Sequence, residues 1–183
     1  MEMFVAGLVL DQNTNAPIVL LKEQTGKICL PIWIGLPEAT AIASALKQVT
    51  LTRPMTHDLL ANSINMFGAK VTRVIIHAIQ DNTFLARIEL TAGDALKLMD
   101  ARPSDAIALA VRVNAKIFVS EEVLKQAQVT LSSAIGGEGG EIRAEDEEFT
   151  ASTEGATDFS AIEKDKWAEI LAEMDPDDFK YKQ

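Results

Sequence analysis

The segment DARPSDAIALAVRVNA, residues 100–115, constrains the fold more than any other part of the chain, because it is apolar almost all round from Ala106 to Val113. Pro103 or Ser104 opens a helix here. Proline suits a first turn, whose N–H groups lack intrahelical partners, and a serine hydroxyl can accept from such a group. A helix apolar on nearly every side must be covered on more than one side. Its longest apolar run, AIALAV at 106–111, falls far short of the roughly 20 residues that cross a bilayer. The segment therefore reads as a core helix and not as a membrane span.

The rest of the first 135 residues supplies material to cover it. FVAGLVL, PIVLLK and ICLPIWI, between residues 4 and 34, are strand-like runs separated by the turn-rich stretches DQNTNA and EQTG, which predicts a three-stranded meander. Residues 36–48 change period. Pro37 and Glu38 suit the positive end of a helix dipole, and the Ala-rich ATAIASALKQ predicts a closely packed helix. In RPMTHDLLANSINMFG, Thr56 reads as an N-cap, Leu60, Ile64 and Phe67 recur at helical spacing, and Gly68 is a C-terminal stop. VTRVIIHAI and TFLARIEL flank Asp81-Asn82, a polar pair able to take the positive φ angles of a tight hairpin. A turn at 92–94, a short strand ALKLM, the core helix, a strand IFV and a helix from Glu121 to Gln126 complete an α+β body of mixed, largely antiparallel strands with packed helices.

Charge separates this body from the C-terminal quarter of the chain. Of 17 basic and 27 acidic residues in the 183-residue chain, 12 of each fall within 1–135, so the net charge of −10 belongs entirely to residues 136–183. Residues 136–158 read as a solvated acidic linker, rich in Gly, Glu, Asp and Thr. Residues 159–183 regain order signals: Ser160 and Glu163 form a capping box, Trp167, Ile170, Leu171 and Met174 share a helical face, and Pro176 stops the helix. That face suits docking on the body, on a second subunit or on another protein. A neutral body argues against a broad footprint for duplex nucleic acid and leaves room for local basic patches. One cysteine, Cys29, excludes an intramolecular disulfide and a multi-cysteine metal site, and it reads as core filler. The start, MEMFVAGLVLD, lacks the basic region and cleavage site of a secretory signal, so a reduced cytoplasmic location is expected.

No P-loop, no strand-bound G-x-G-x-x-G and no H-E-x-x-H occurs, and GGEGGE at 136–141 has neither a preceding strand nor a charge suited to phosphate. Two polar clusters at helix starts remain. Thr56-His57-Asp58 is either a cap with a dipole-stabilised carboxylate, or a proton-transfer or metal-binding His with its carboxylate neighbour. In Asp100-Ala101-Arg102-Pro103-Ser104-Asp105, Arg102 either pairs with a carboxylate while Ser104 or Asp105 caps the helix, or helps two carboxylates hold a divalent cation and a phosphodiester. His77 shares an alternation with Val71, Ile75 and Ile79 and reads as structural.

LPIWIGLPEATAIASAL (30–46), RPMTHDLL (53–60), DARPSDAIALAVR (100–112) and IFVSEEVL (117–124) together resemble the bifunctional nuclease domain family of bacteria and plants. The likeness spans roughly residues 1–130, and WAEILAEMDPDDFKYK is similar to a C-terminal extension of some bacterial members. The resemblance implies a compact α+β domain that self-associates and cleaves DNA and RNA. Matched residue by residue, the site candidates are Glu38, His57, Asp58, Asp100, Arg102, Ser104 and Asp105.

Phosphodiester chemistry suggests roles for them. His57 would move a proton, Arg102 would clamp phosphate with Ser104 in the same catalytic set, and Asp58, Asp100, Asp105 and Glu38 would hold Mg²⁺ or Mn²⁺. Single-stranded DNA or RNA is the expected partner, and no membrane is. The Ala-rich helix and the apolar segments near Trp33 predict a homodimer or larger closed assembly. The alternative is a non-catalytic, self-associating module whose tail docks a protein partner. The charge pattern also predicts that the acidic segment competes with phosphate for local basic side chains. Neutralising Glu145, Asp146, Glu147 and Glu148 should strengthen binding of a single-stranded oligonucleotide, most at low salt. Fluorescence anisotropy at two ionic strengths checks this, and equal affinities at low salt would eliminate it.

Overall fold

The three N-terminal apolar runs form an antiparallel meander in the computed structural model, which describes residues 1–130 apart from 12, 13, 50 and 128. Its strands are β1 (Glu2–Leu10), β2 (Pro17–Lys22) and β3 (Ile28–Trp33). Helices α1 (Leu36–Leu46) and α2 (Thr56–Met66) come next. Gly68 ends the second with φ +70, a left-handed value that side chains disfavour. β4 (Ala69–Gln80) and β5 (Thr83–Ala92) form the expected hairpin, with Asp81 and Asn82 at φ +49 and +58. β6 (Ala95–Ala101), α3 (Pro103–Val113), β7 (Lys116–Val119), α4 (Glu121–Ala127) and the two-residue β8 (Val129–Thr130) complete the described chain. The expected acidic linker, 136–158, and helical tail, 159–183, lie outside the described residues.

The strands form one mixed sheet in the order β6-β5-β4-β7-β1-β2-β3-β8. Every pairing is antiparallel except β4 with β7. A parallel pair needs a crossover, and the chain makes it by running through β5, β6 and α3 before returning to the middle of the sheet. β7 joins the two halves by pairing with β4 on one side and with β1 on the other. The N-terminus reinforces that seam: the Met1 ammonium donates to the Val119 carbonyl at 2.7 Å, and Lys116 pairs with Glu2 at 2.9 Å.

The core helix is covered as its composition requires. Ala106, Ile107, Ala108, Leu109 and Ala110 are fully buried, and α3 packs against α1, α2, β4, β5 and β7. Small side chains on both α1 and α3 let the helices approach closely, with Ala39, Ala41, Ile42 and Ala43 buried on α1. Cys29 is buried, and burial pushes its thiol above the ordinary range, in keeping with core filler.

Two local expectations are corrected. Thr56 is not the N-cap of α2. Met55 is, and the Asp58 carboxylate accepts its backbone N–H at 2.9 Å, so the capping group sits three residues inside the helix. His77 does not share a face with Val71, because bulges at 71/73 and 76/78 shift the alternation of β4. Val71, Val74 and Ile76 therefore face the core.

The charged side chain that ties the three helices together is Arg112, near the end of α3. Its Nε donates to Asp58 Oδ1 on α2, its Nη1 to the carbonyls of Ala41 on α1 and Ala108 on α3, both at 2.9 Å, and its Nη2 to Ser44 Oγ at 3.3 Å. The side chain is only 9% exposed. Removing one partner of a fully buried pair costs about 3–5 kcal/mol. Asp58 keeps partial access to water, so Arg112→Met should cost less, roughly 2–4 kcal/mol. Arg112→Lys should recover under half of that, because an ammonium cannot span three helices with a planar fork. Urea-denaturation midpoints of the three proteins check both statements.

Candidate functional site

Three helices each carry an acid at their third position: Glu38 on α1, Asp58 on α2 and Asp105 on α3. Carboxylates are favoured there because the first-turn N–H groups give a helix N-terminus partial positive charge. What the tertiary fold adds is the meeting of these helices near the start of α3: Glu38 of α1 reaches Arg102, the N-cap residue of α3, and His57 of α2 reaches Asp105.

Arg102 holds Asp105 with two bonds, Nε to Oδ2 at 2.6 Å and Nη2 to Oδ1 at 3.1 Å, in the planar fork that carboxylates match. Its Nη1 lies 3.0 Å from Glu38 Oε1. Asp105 Oδ1 also meets His57 Nε2 at 3.1 Å. One continuous chain, Glu38–Arg102–Asp105–His57, thus joins α1, α3 and α2. The Glu38 carboxylate and the His57 ring are largely buried, while the Arg102 side chain is 57% exposed.

The two aspartates in this region are held ionised. Burial pushes both carboxyls up, but the opposing interactions win. Hydrogen bonds from Arg102 and His57, with the charges of both, hold Asp105 below its ordinary range. Hydrogen bonds from Arg112 and the Met55 N–H, with the charges of Arg112 and His57, do the same for Asp58. An ionised carboxylate is acceptor-only, so the His57 nitrogen facing Asp105 carries a proton. In the neutral ring the other nitrogen, Nδ1, then bears the lone pair.

The remaining candidates are placed differently. Asp58 caps α2 and pairs with Arg112, although it lies close enough to His57 for their charges to interact. Ser104 is buried in the first turn of α3, and neither it nor Asp105 supplies a side-chain cap there. Asp100 stands on β6 opposite Arg87. Its charge is felt by His77, whose pKa is lowered by burial and by Arg87 against the opposing pull of Asp100. Among the described residues no three His, Cys, Asp or Glu side chains gather as a metal site. Both Asp105 oxygens are taken up by Arg102 and His57, and both Asp58 oxygens by Arg112 and the Met55 N–H. Glu38, Asp58, Asp100 and Asp105 as arranged here do not fit one shared ion.

Sequence reasoning missed Arg112. The available signal was a guanidinium within a segment otherwise apolar all round, a position that requires a dedicated partner.

Comparison with known proteins is consistent across the chain. Residues 19–132 match the bifunctional nuclease domain. Uncharacterized proteins from two strains of Mycobacterium tuberculosis are each 38% identical over 179 residues, which is 98% of this chain and 98% of theirs. Among the described residues, no helix is long and apolar enough to cross a membrane.

The depressed pKa of Asp105 makes an acid-side prediction. A carboxyl whose folded pKa lies below its unfolded value of 3.8 contributes stability above that value and loses it as pH falls through the folded pKa. The stability difference between the natural chain and Asp105→Asn should therefore shrink as the pH falls below about 3.8. Thermal unfolding from pH 7 to pH 3 measures it.

Proposed function

Because the chain belongs to the bifunctional nuclease domain family, with the nucleic-acid-directed role that membership implies, we propose that it hydrolyses phosphodiester bonds of single-stranded DNA or RNA at the Glu38–Arg102–Asp105–His57 cluster. The observation that carries this reading is the His57–Asp105 contact beside a half-exposed arginine. Asp105 fixes the orientation and tautomer of the His57 ring, leaving Nδ1 to take a proton from an attacking water. Arg102 offers a planar cation to the phosphate, and the converging helix N-termini add positive potential where charge develops on phosphorus. His57 would return the proton to the leaving oxygen. Ser104, buried in the first turn of α3, belongs to the same segment as Arg102 and Asp105.

Mg²⁺ or Mn²⁺ belongs to the proposal as a component of the assay, and no step above is routed through an ion. A homodimer or larger assembly and a cytoplasmic location complete the reading. A second reading, a non-catalytic self-associating module, draws on one specific observation: Asp58 is engaged in capping α2 and holding Arg112.

Cleavage of labelled single-stranded DNA and RNA, with Mg²⁺, Mn²⁺ or chelator, tests the two readings. Loss of a general acid–base group costs about 10²–10⁴ in rate, so His57→Asn should fall by at least about a hundredfold. Arg102→Lys should lose mainly substrate affinity. Turnover by His57→Asn equal to that of the natural chain would sink the cluster as the site, and no turnover by either protein would favour the binding module.

A further inference from the structure

Gly35, immediately before α1, has φ −77 and ψ 162, an extended conformation open to any residue, so its backbone does not call for glycine. The space around it does. A Cβ built at position 35 would overlap the Glu38 Oε2 atom and approach Glu38 Cδ at 3.3 Å. The Glu38 carboxylate is folded back over the start of its own helix and fills the volume a side chain at 35 would need. In that position its other oxygen, Oε1, meets Arg102 at 3.0 Å. The far end of a glutamate normally swings aside at little cost, but this one is about nine-tenths buried and ion-paired. A clash would therefore break the ion pair.

From this geometry we infer that Gly35 and Glu38 act together as positioning residues for Arg102, the missing side chain at 35 giving the carboxylate the room from which it fixes the guanidinium. Asp105 holds Arg102 from within α3, three residues along the same chain, whereas Glu38 holds it from α1. The second anchor therefore restrains the guanidinium from a different helix. The functional part of the inference rests on the hydrolase reading, in which Arg102 engages phosphate. The structural part does not.

The test is a double-mutant cycle of Gly35→Ala and Glu38→Ala in the full chain, each variant labelled with ¹⁵N. Its first readout is the Arg102 Nε–H resonance, assigned by its loss in Arg102→Lys. Both single variants should displace this signal, and the double variant should place it where Glu38→Ala alone does, because without the carboxylate the added methyl has nothing to strike. A Gly35→Ala variant with an unchanged signal overturns the inference. So does a Gly35→Ala effect that persists in full on top of Glu38→Ala, which would mean that the glycine acts through the backbone. If Gly35→Ala fails to fold, the double variant decides: folding like Glu38→Ala supports the clash, and failure to fold overturns it.

The second readout is the affinity for a labelled single-stranded oligonucleotide. Loss of one charge-assisted restraint should weaken binding by about tenfold in both single variants and by no more in the double. A displaced resonance with unchanged affinity in both single variants would overturn the positioning role. If the natural chain neither binds nor cuts single strands, the hydrolase reading falls, and the resonance cycle still decides whether Gly35 makes room for the carboxylate that holds Arg102.

Discussion

The guanidinium of Arg112 is the contact on which the arrangement of helices depends. It joins the Asp58 carboxylate on α2, the Ala41 carbonyl and Ser44 hydroxyl on α1, and the Ala108 carbonyl on its own helix. A charge at 9% exposure tolerates few arrangements, because each donor left without an acceptor costs free energy. The alanine-rich faces of α1 and α3 are adhesive without being directional. Arg112 selects one placement among those that similar apolar burial would permit.

That placement sets the first turns of the three helices. With α2 tied to the end of α3 through Asp58, His57 one residue earlier comes within reach of Asp105 in the first turn of α3. Neighbouring positions on α2 thus have different partners. Asp58 serves the fold and His57 faces the cluster. The same economy appears on α1, where a carboxylate at the third helical position favours the N-terminus and also holds Arg102.

The sheet provides the platform. Its central strand β7 is inserted between β4 and β1 after a long excursion, so α3 lies across the sheet and not beyond its edge. This connection carries Arg102 from the end of edge strand β6 to the start of the buried helix. Asp100, two residues earlier, is still part of β6 and pairs in register with Arg87. Two acids five positions apart in one motif therefore belong to different environments.

Strands β1 to β7, the four helices and the Asp81-Asn82 turn were legible because each is written locally, in alternation, helical spacing, and residues suited to a first turn or to positive φ, whereas the two-residue β8 carries no such signal. The all-round apolar character of residues 106–113 also determined that α3 would be the covered helix. Family kinship was legible for a similar reason, since the motifs that carry it are contiguous stretches. The Arg102–Asp105 pair, three residues apart, was open to local reading, but tertiary structure alone decided which charged groups far apart in sequence meet. Asp58 and Asp105 are both acids at a third helical position, with nothing in their local sequence to distinguish capping from orienting a histidine. One is separated from Arg112 by 54 residues and the other from His57 by 48. The strand bulges that turn His77 and Val71 to different faces were equally hidden, because an extra residue in a strand shows only against its partner. Secondary structure is fixed by interactions over a few residues, which a sequence displays. Pairing of charges distant in sequence is fixed by packing, where a single orientation of three helices determines which side chains come within hydrogen-bonding reach of one another.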